Sequence, residues 1–136
     1  MGDLSRHFST WEFRCRCCNE AKVESKLVNA LQELRFLVGK PILINSGYRC
    51  PKHNKAIGGA KNSQHILGTA ADIVIPGLDV EQMFSYAKLI EPFEKGGIGI
   101  YPDQKFIHVD VRRRQARWAR VNGKYLSLEK YFSREV

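Results

Sequence analysis

Apolar residues recur at three- and four-residue intervals from Leu27 to Val38, taking in Ala30, Leu31, Leu34 and Leu37. That spacing lines one face of a helix. Gly39 and Pro41 stop the pattern. "PILINS" then reads as a short buried strand, and "GYRCPKHNKAIGGAKNS" as a long loop with one helical turn near 52–57. "TAADIVI" reads as a strand ended by Pro76-Gly77. Asp79 starts a second helix, with Gln82 as its partner in a capping box, and the helix is expected to run to about residue 90. "GGIGIYP" and "KFIHVDV" read as strands joined at Pro102-Asp103. In "RWARVNGKYLSL", Asn122-Gly123 between two strand-like runs predicts a hairpin, and "LEKYF" a closing turn of helix. Residues 1–22 are irregular, and Phe8, Trp11 and Phe13 are expected to anchor them to the body. The order implies an α+β fold: one domain over 1–136, with a central, mostly antiparallel sheet and flanking helices.

Composition adds little beyond a globular class. Hydrophobic residues make up 43% and charged residues 26%. No run approaches the roughly 18 apolar residues of a membrane span, and the N-terminus shows no apolar signal core. The net charge is +8. Part of it is local: Arg112, Arg113, Arg114, Arg117 and Arg120 fall close together. Such a cluster either forms a solvated face or attracts a polyanion. No nucleic-acid-binding motif accompanies it, so nucleic acid is not the expected partner, whereas an anionic cell-wall polymer would suit the charge. Cys15, Cys17, Cys18 and Cys50 leave three readings open: free thiols, a disulfide from Cys50 to Cys15 or Cys17, or a structural zinc. Adjacent ligands at 17 and 18 are awkward for a tetrahedral ion.

The chemistry concentrates in "NSQHILGTAADI" and "KFIHVDV". In a strand, alternate side chains share a face. Ile107, Val109 and Val111 would meet the core, while Phe106, His108 and Asp110 project together from the other side. On the earlier strand Ala70, Asp72 and Val74 share a face, and the small Ala70 leaves room beside Asp72. If the two strands are neighbours, Asp72 and His108 converge, and His65 reaches in from the preceding loop. Gly68 would permit the tight turn into the strand. Two imidazoles and a carboxylate, with one position left for water, make a catalytic zinc layout. The plainer alternative is a loop histidine and a satisfied surface histidine.

These residues resemble a known family. "SGYRCPKHN", "SQHILGTAADI" and "FIHVDV" together look like the zinc D-alanyl-D-alanine carboxypeptidases, a family of peptidoglycan peptidases. Its wider relatives include vancomycin-resistance dipeptidases, phage endolysins and the hedgehog signalling domain. The likeness spans roughly residues 8–118. It implies the hedgehog/DD-peptidase-like fold, Zn2+ held by His65, Asp72 and His108, and substrate contacts from Arg49 and Ser63. A guanidinium suits a carboxylate because it can make a forked contact. Many relatives carry an acid three residues before the last histidine as general base. Here Lys105 stands there. Asp110 is the nearest acid and the expected catalytic base, or else a carboxylate bonding a ligand histidine or Arg49. Asp103 and His53 are weaker candidates.

The resemblance therefore implies a zinc peptidase acting on peptidoglycan stem peptides, as a carboxypeptidase or as an endolysin-type endopeptidase. A monomer is expected. A phage or prophage endolysin would suit a bare domain. Two other classes fit part of the pattern. One is a non-haem iron oxygenase, which also uses two histidines and a carboxylate. The other is a zinc-stabilised binding module of the cell wall or of a phage particle.

Overall fold

The computed structural model describes residues 2–133. Helix α1 (Ser25–Val38) leads to strand β1 (Leu43–Ser46) and the short helix α2 (Pro51–Ala56). Strand β2 (Ala70–Val74), helix α3 (Val80–Ala87) and the single turn α4 (Glu91–Glu94) follow. Strands β3 (Gly97–Tyr101), β4 (Phe106–Asp110), β5 (Ala116–Val121) and β6 (Lys124–Leu126) precede α5 (Leu128–Ser133). The six strands form one sheet in the order β1-β2-β4-β3-β5-β6. Every neighbouring pair is antiparallel except β3 and β5, which run parallel. The α+β architecture with a mostly antiparallel sheet is thus the one the hydrophobic pattern implied. Among the described residues no helix is long and apolar enough to cross a membrane.

One face of the sheet carries the core. Ile73, Ile98, Ile100, Ile107 and Val109 are fully buried and pack in one cluster with Leu31, Leu34, Met83 and Phe93 of the helices. Burying each such side chain contributes roughly 1.5–3 kcal/mol. Helix α3 starts at the expected capping box: Gln82 N–H donates to Asp79 at 2.8 Å, and Asp79 N–H donates back to Gln82 at 2.9 Å. The helix stops at Ala87, short of residue 90, because Ile90 turns extended to cap α4, where Pro92 occupies the first turn.

Three expectations are corrected. Strand β1 is an edge strand, so Ile44 is buried while Leu43 faces solvent. Leu37 also faces solvent, because the apolar stripe of α1 leaves the core in its last turn. Phe8 and Phe13 anchor the N-terminal segment, but Trp11 is 64% exposed and has the Arg14 guanidinium over it, 3.5 Å from its ring centre.

Candidate metal centre

The opposite face of the sheet carries a row of residues set by register. Ser46 pairs with Asp72, Asp72 with His108, His108 with Gly99, and Gly99 with Trp118. Asp72 and His108 are therefore neighbours by backbone pairing. Gly99 is what lets the row close. A Cβ there would lie 2.3 Å from the Trp118 indole, so only glycine lets that ring lie across β3 toward His108, with ring centres 5.1 Å apart. A second row pairs Ala70 and Gly97 with Asp110, and Gly97 with Ala116. Ala70 thus makes room beside Asp110 rather than beside the ligands.

His65 arrives from the loop before β2. Gly68, with φ of +76° and its α-carbon packed against the Lys22 carbonyl, makes the turn that delivers it. The ring is almost wholly buried, and its Nδ1 lies 2.7 Å from the Gly47 carbonyl oxygen. A carbonyl can only accept, so Nδ1 carries the proton and Nε2 presents a lone pair. That lone pair faces Asp72 Oδ1 at 3.2 Å. His108 is arranged in the same way. Its Nε2 donates to Asp110 Oδ2 at 2.7 Å, and its Nδ1 faces the same Asp72 Oδ1 at 3.1 Å.

Three electron-donating atoms thus converge in a buried place. Such a meeting is repulsive unless a cation or a proton lies between them. Bonds of about 2.0–2.2 Å to a tetrahedral zinc would set its ligands about 3.3 Å apart, close to the separations seen. The donor set therefore fits zinc. Burial alone would raise the Asp72 carboxyl, but His65 and His108 beside it hold it well below the usual carboxylate range. Burial lowers His108 toward neutrality, yet its bonds to Asp110 and Asp72 raise it overall.

Asp110 lies behind His108, on the side away from Asp72. It has no exposed surface. Its carboxylate receives the His108 Nε2 proton, the Gly97 amide at 2.9 Å and the Arg112 guanidinium. Burial would raise it, but His108 and Arg112 hold it well below the carboxylate range. It meets the ring nitrogen that points away from Asp72. Lys105 lies exposed in the turn before β4, with φ of +61°. Asp103 is also exposed, and it accepts the Asn122 amide at 2.6 Å.

Arg49 and Ser63 both line a cleft of about 550 Å³ that opens over His65, Asp72 and His108. Arg49 donates to Asp72 Oδ2 at 3.2 Å, to Asn54 at 3.1 Å and to Ser46 Oγ at 3.3 Å. Ser63 Oγ accepts the His65 amide at 3.2 Å, so it also helps form the loop. Among the described residues Asp72 is the only carboxylate lining the cleft, whereas Arg49, Arg112 and Arg120 all line it. The arginine cluster is thus divided. Arg112 and Arg120 face the cleft, Arg117 bonds the Glu94 and Gly96 carbonyls, and Arg113 and Arg114 face solvent. Sequence reasoning missed Tyr101, Trp118 and Tyr125 in the wall. Trp118 N–H donates to the Tyr101 hydroxyl at 3.0 Å, and burial, the first cause, pushes that phenol up to about 12, so it stays neutral.

Residues 6–110 match the family model described as Peptidase M15. The chain belongs to the Peptidase M15 family. It is 33% identical over 107 residues to the peptidoglycan L,D-endopeptidase MepK of Escherichia coli strain K12, covering 73% of this chain and 57% of that one. It is 42% identical over 70 residues to a probable peptidoglycan L,D-endopeptidase MepK of Haemophilus influenzae, covering 48% and 36%. Over 44 residues it is 48% identical to the zinc D-Ala-D-Ala carboxypeptidase of Streptomyces albus G, covering 32% and 17%. The chain spans a little over half the length of the Escherichia coli relative. Membership favours neither the iron oxygenase nor the binding module.

Proposed function

We propose that this chain is a zinc-dependent peptidase that hydrolyses peptide bonds in peptidoglycan stem peptides. The observation that carries the reading is the convergence of His65 Nε2, His108 Nδ1 and Asp72 Oδ1, each histidine locked by a bond at its other nitrogen. Zinc held there would supply an acidified water and polarise a carbonyl. The likeness that covers most of this chain is to proteins named as endopeptidases, so endopeptidase action is the preferred assignment.

The protein's own groups do the rest. Arg49 holds a substrate carboxylate or carbonyl by a forked contact, and Ser63 contacts the chain beside it. With Arg112 and Arg120 on the walls, the cleft favours peptides rich in carboxylates. Tyr101, kept as a neutral phenol, is a hydrogen-bond donor for the oxygen on which charge develops. Asp110 acts as a positioning residue. It holds the Nε2 proton of His108, which keeps Nδ1 available as a ligand. Arg112 in turn fixes Asp110.

The test is mass spectrometry of products from defined muropeptides incubated with the zinc-loaded protein and with the chelated one. Zinc-dependent release of fragments is expected, and their masses name the bond. Binding to sacculi without any product would sink the peptidase reading.

A further inference from the structure

A second group of soft ligands lies on the N-terminal side of the site. The side chains of Cys15, Cys18 and Cys50 bring their sulfurs within 4.8 Å of one another. Cys15 and Cys18 have the C-x-x-C spacing of many zinc sites, which is hidden when 17 and 18 are taken as the pair. The turn that joins them is closed by the Asn19 amide on the Cys15 carbonyl at 2.8 Å. Asn19 then takes φ of +63°, and Cys15 N–H bonds the Glu20 carbonyl at 2.6 Å. Cys50 comes from the far end of the strap 47–50 and caps α2, its sulfur accepting the His53 amide at 3.4 Å.

We propose that Cys15, Cys18 and Cys50 hold a structural zinc ion, with water in the fourth position. Tetrahedral zinc with bonds of about 2.3 Å sets its sulfurs about 3.8 Å apart, so the cluster needs to contract by only about 1 Å. Each thiol that binds gives up its proton to solvent. The amide donors are already in place, since Cys50 N–H points at Cys15 Sγ at 3.4 Å. Cys15 is buried, Cys50 half-buried and Cys18 exposed, so the group has a wall and an entrance. A disulfide between any two of these sulfurs would strand the third.

The position has a structural use. The strap 47–50 holds the first site: the Gly47 carbonyl bonds His65 Nδ1, and Arg49 N–H bonds the His65 carbonyl at 3.2 Å. Tyr48 N–H bonds the Phe13 carbonyl at 2.9 Å, which ties the strap to the segment that carries Cys15. A zinc at the end of the strap would clamp these pieces together.

The experiment is metal analysis of the full chain, purified under reduction, loaded with zinc and desalted. Two zinc ions per chain are expected, falling to one in Cys18→Ser, in Cys50→Ser and in His65→Ala. Cys17→Ser is expected to keep both. Cobalt in the His65→Ala variant should show a sulfur-to-metal charge-transfer band that is absent when Cys18 is also changed. Should the serine variants fail to fold, alkylation of the unmutated chain decides: zinc should protect at least three thiols, and chelation should expose them. A single zinc lost only with His65, a cobalt spectrum without sulfur ligation, thiols alkylated equally with and without zinc, a mass short by two hydrogens in the unreduced chain, or loss of the second zinc in Cys17→Ser would overturn the assignment. None of these readouts depends on peptide hydrolysis.

Discussion

The strand-borne and loop-borne halves of the candidate metal centre are held by different forces. Asp72 and His108 face each other in the β2–β4 ladder, so backbone hydrogen bonds set their separation whatever their side chains do. His65 and Arg49 sit on connections. Their places rest on a few bonds, from His65 to Gly47 and from Arg49 to Ser46, Asn54 and Asp72. The ladder supplies precision, and the loops supply reach toward a substrate. Changes in the loops should therefore remove function while the sheet stays folded, and changes behind the strands should tune the metal.

The largest effect is expected from His65→Ala, which takes away a ligand and the bond to Gly47 together. Zinc affinity should fall by more than the roughly 10–100-fold typical of losing an outer-shell partner, and hydrolysis should drop to background. Calorimetric zinc titration alongside muropeptide turnover checks it, and full turnover at saturating zinc would remove the loop from the centre. Next comes Arg49→Ala. A hydrogen bond to a charged group is worth about 1.5–3 kcal/mol, so kcat/KM should fall roughly 10–100-fold with zinc content unchanged. Arg49→Lys should recover only part of this, because an ammonium cannot make the forked contact.

Asp110→Asn tests the strand half. Zinc affinity should drop about tenfold, with near-normal kcat once zinc saturates. A large loss of kcat at full zinc occupancy would return Asp110 to the role of general base. Ser63→Ala should be the mildest, a few-fold rise in KM with zinc unchanged, since losing one neutral hydrogen bond costs about 1 kcal/mol. A loss of zinc in that variant would show that Ser63 serves the loop through the His65 amide rather than the substrate.

Much of the fold was legible in local pattern. The stripe from Leu27 to Leu34, the capping box at Asp79 and Gln82, and the Asn122-Gly123 turn, with φ of +52° and +79°, are signals within a few residues. Trp11 and Leu43 were misjudged because burial depends on what covers a residue, which a neighbouring sequence does not state. The spacing in "NSQHILGTAADI" and the alternation in "FIHVDV" were enough to nominate His65, Asp72 and His108, because a period of two decides which strand side chains share a face.

The same alternation could not say which way the Asp110 carboxylate turns. It placed Asp110 beside His108, but only the packing of Gly97 and Arg112 around it shows that it meets Nε2, the nitrogen away from Asp72. Trp118 had no local signal at all, since its place over Gly99 depends on the parallel β3–β5 pairing. Cys50 likewise reaches Cys15 and Cys18 only through the path of the strap. The sequence alone determined the elements, the two faces of each strand and the three candidate ligands, because those follow from local sterics and periodicity. Tertiary structure decided which nitrogen of each histidine faces inward, which arginines line the cleft and which sulfurs meet, because each of these depends on chain segments that only folding brings together.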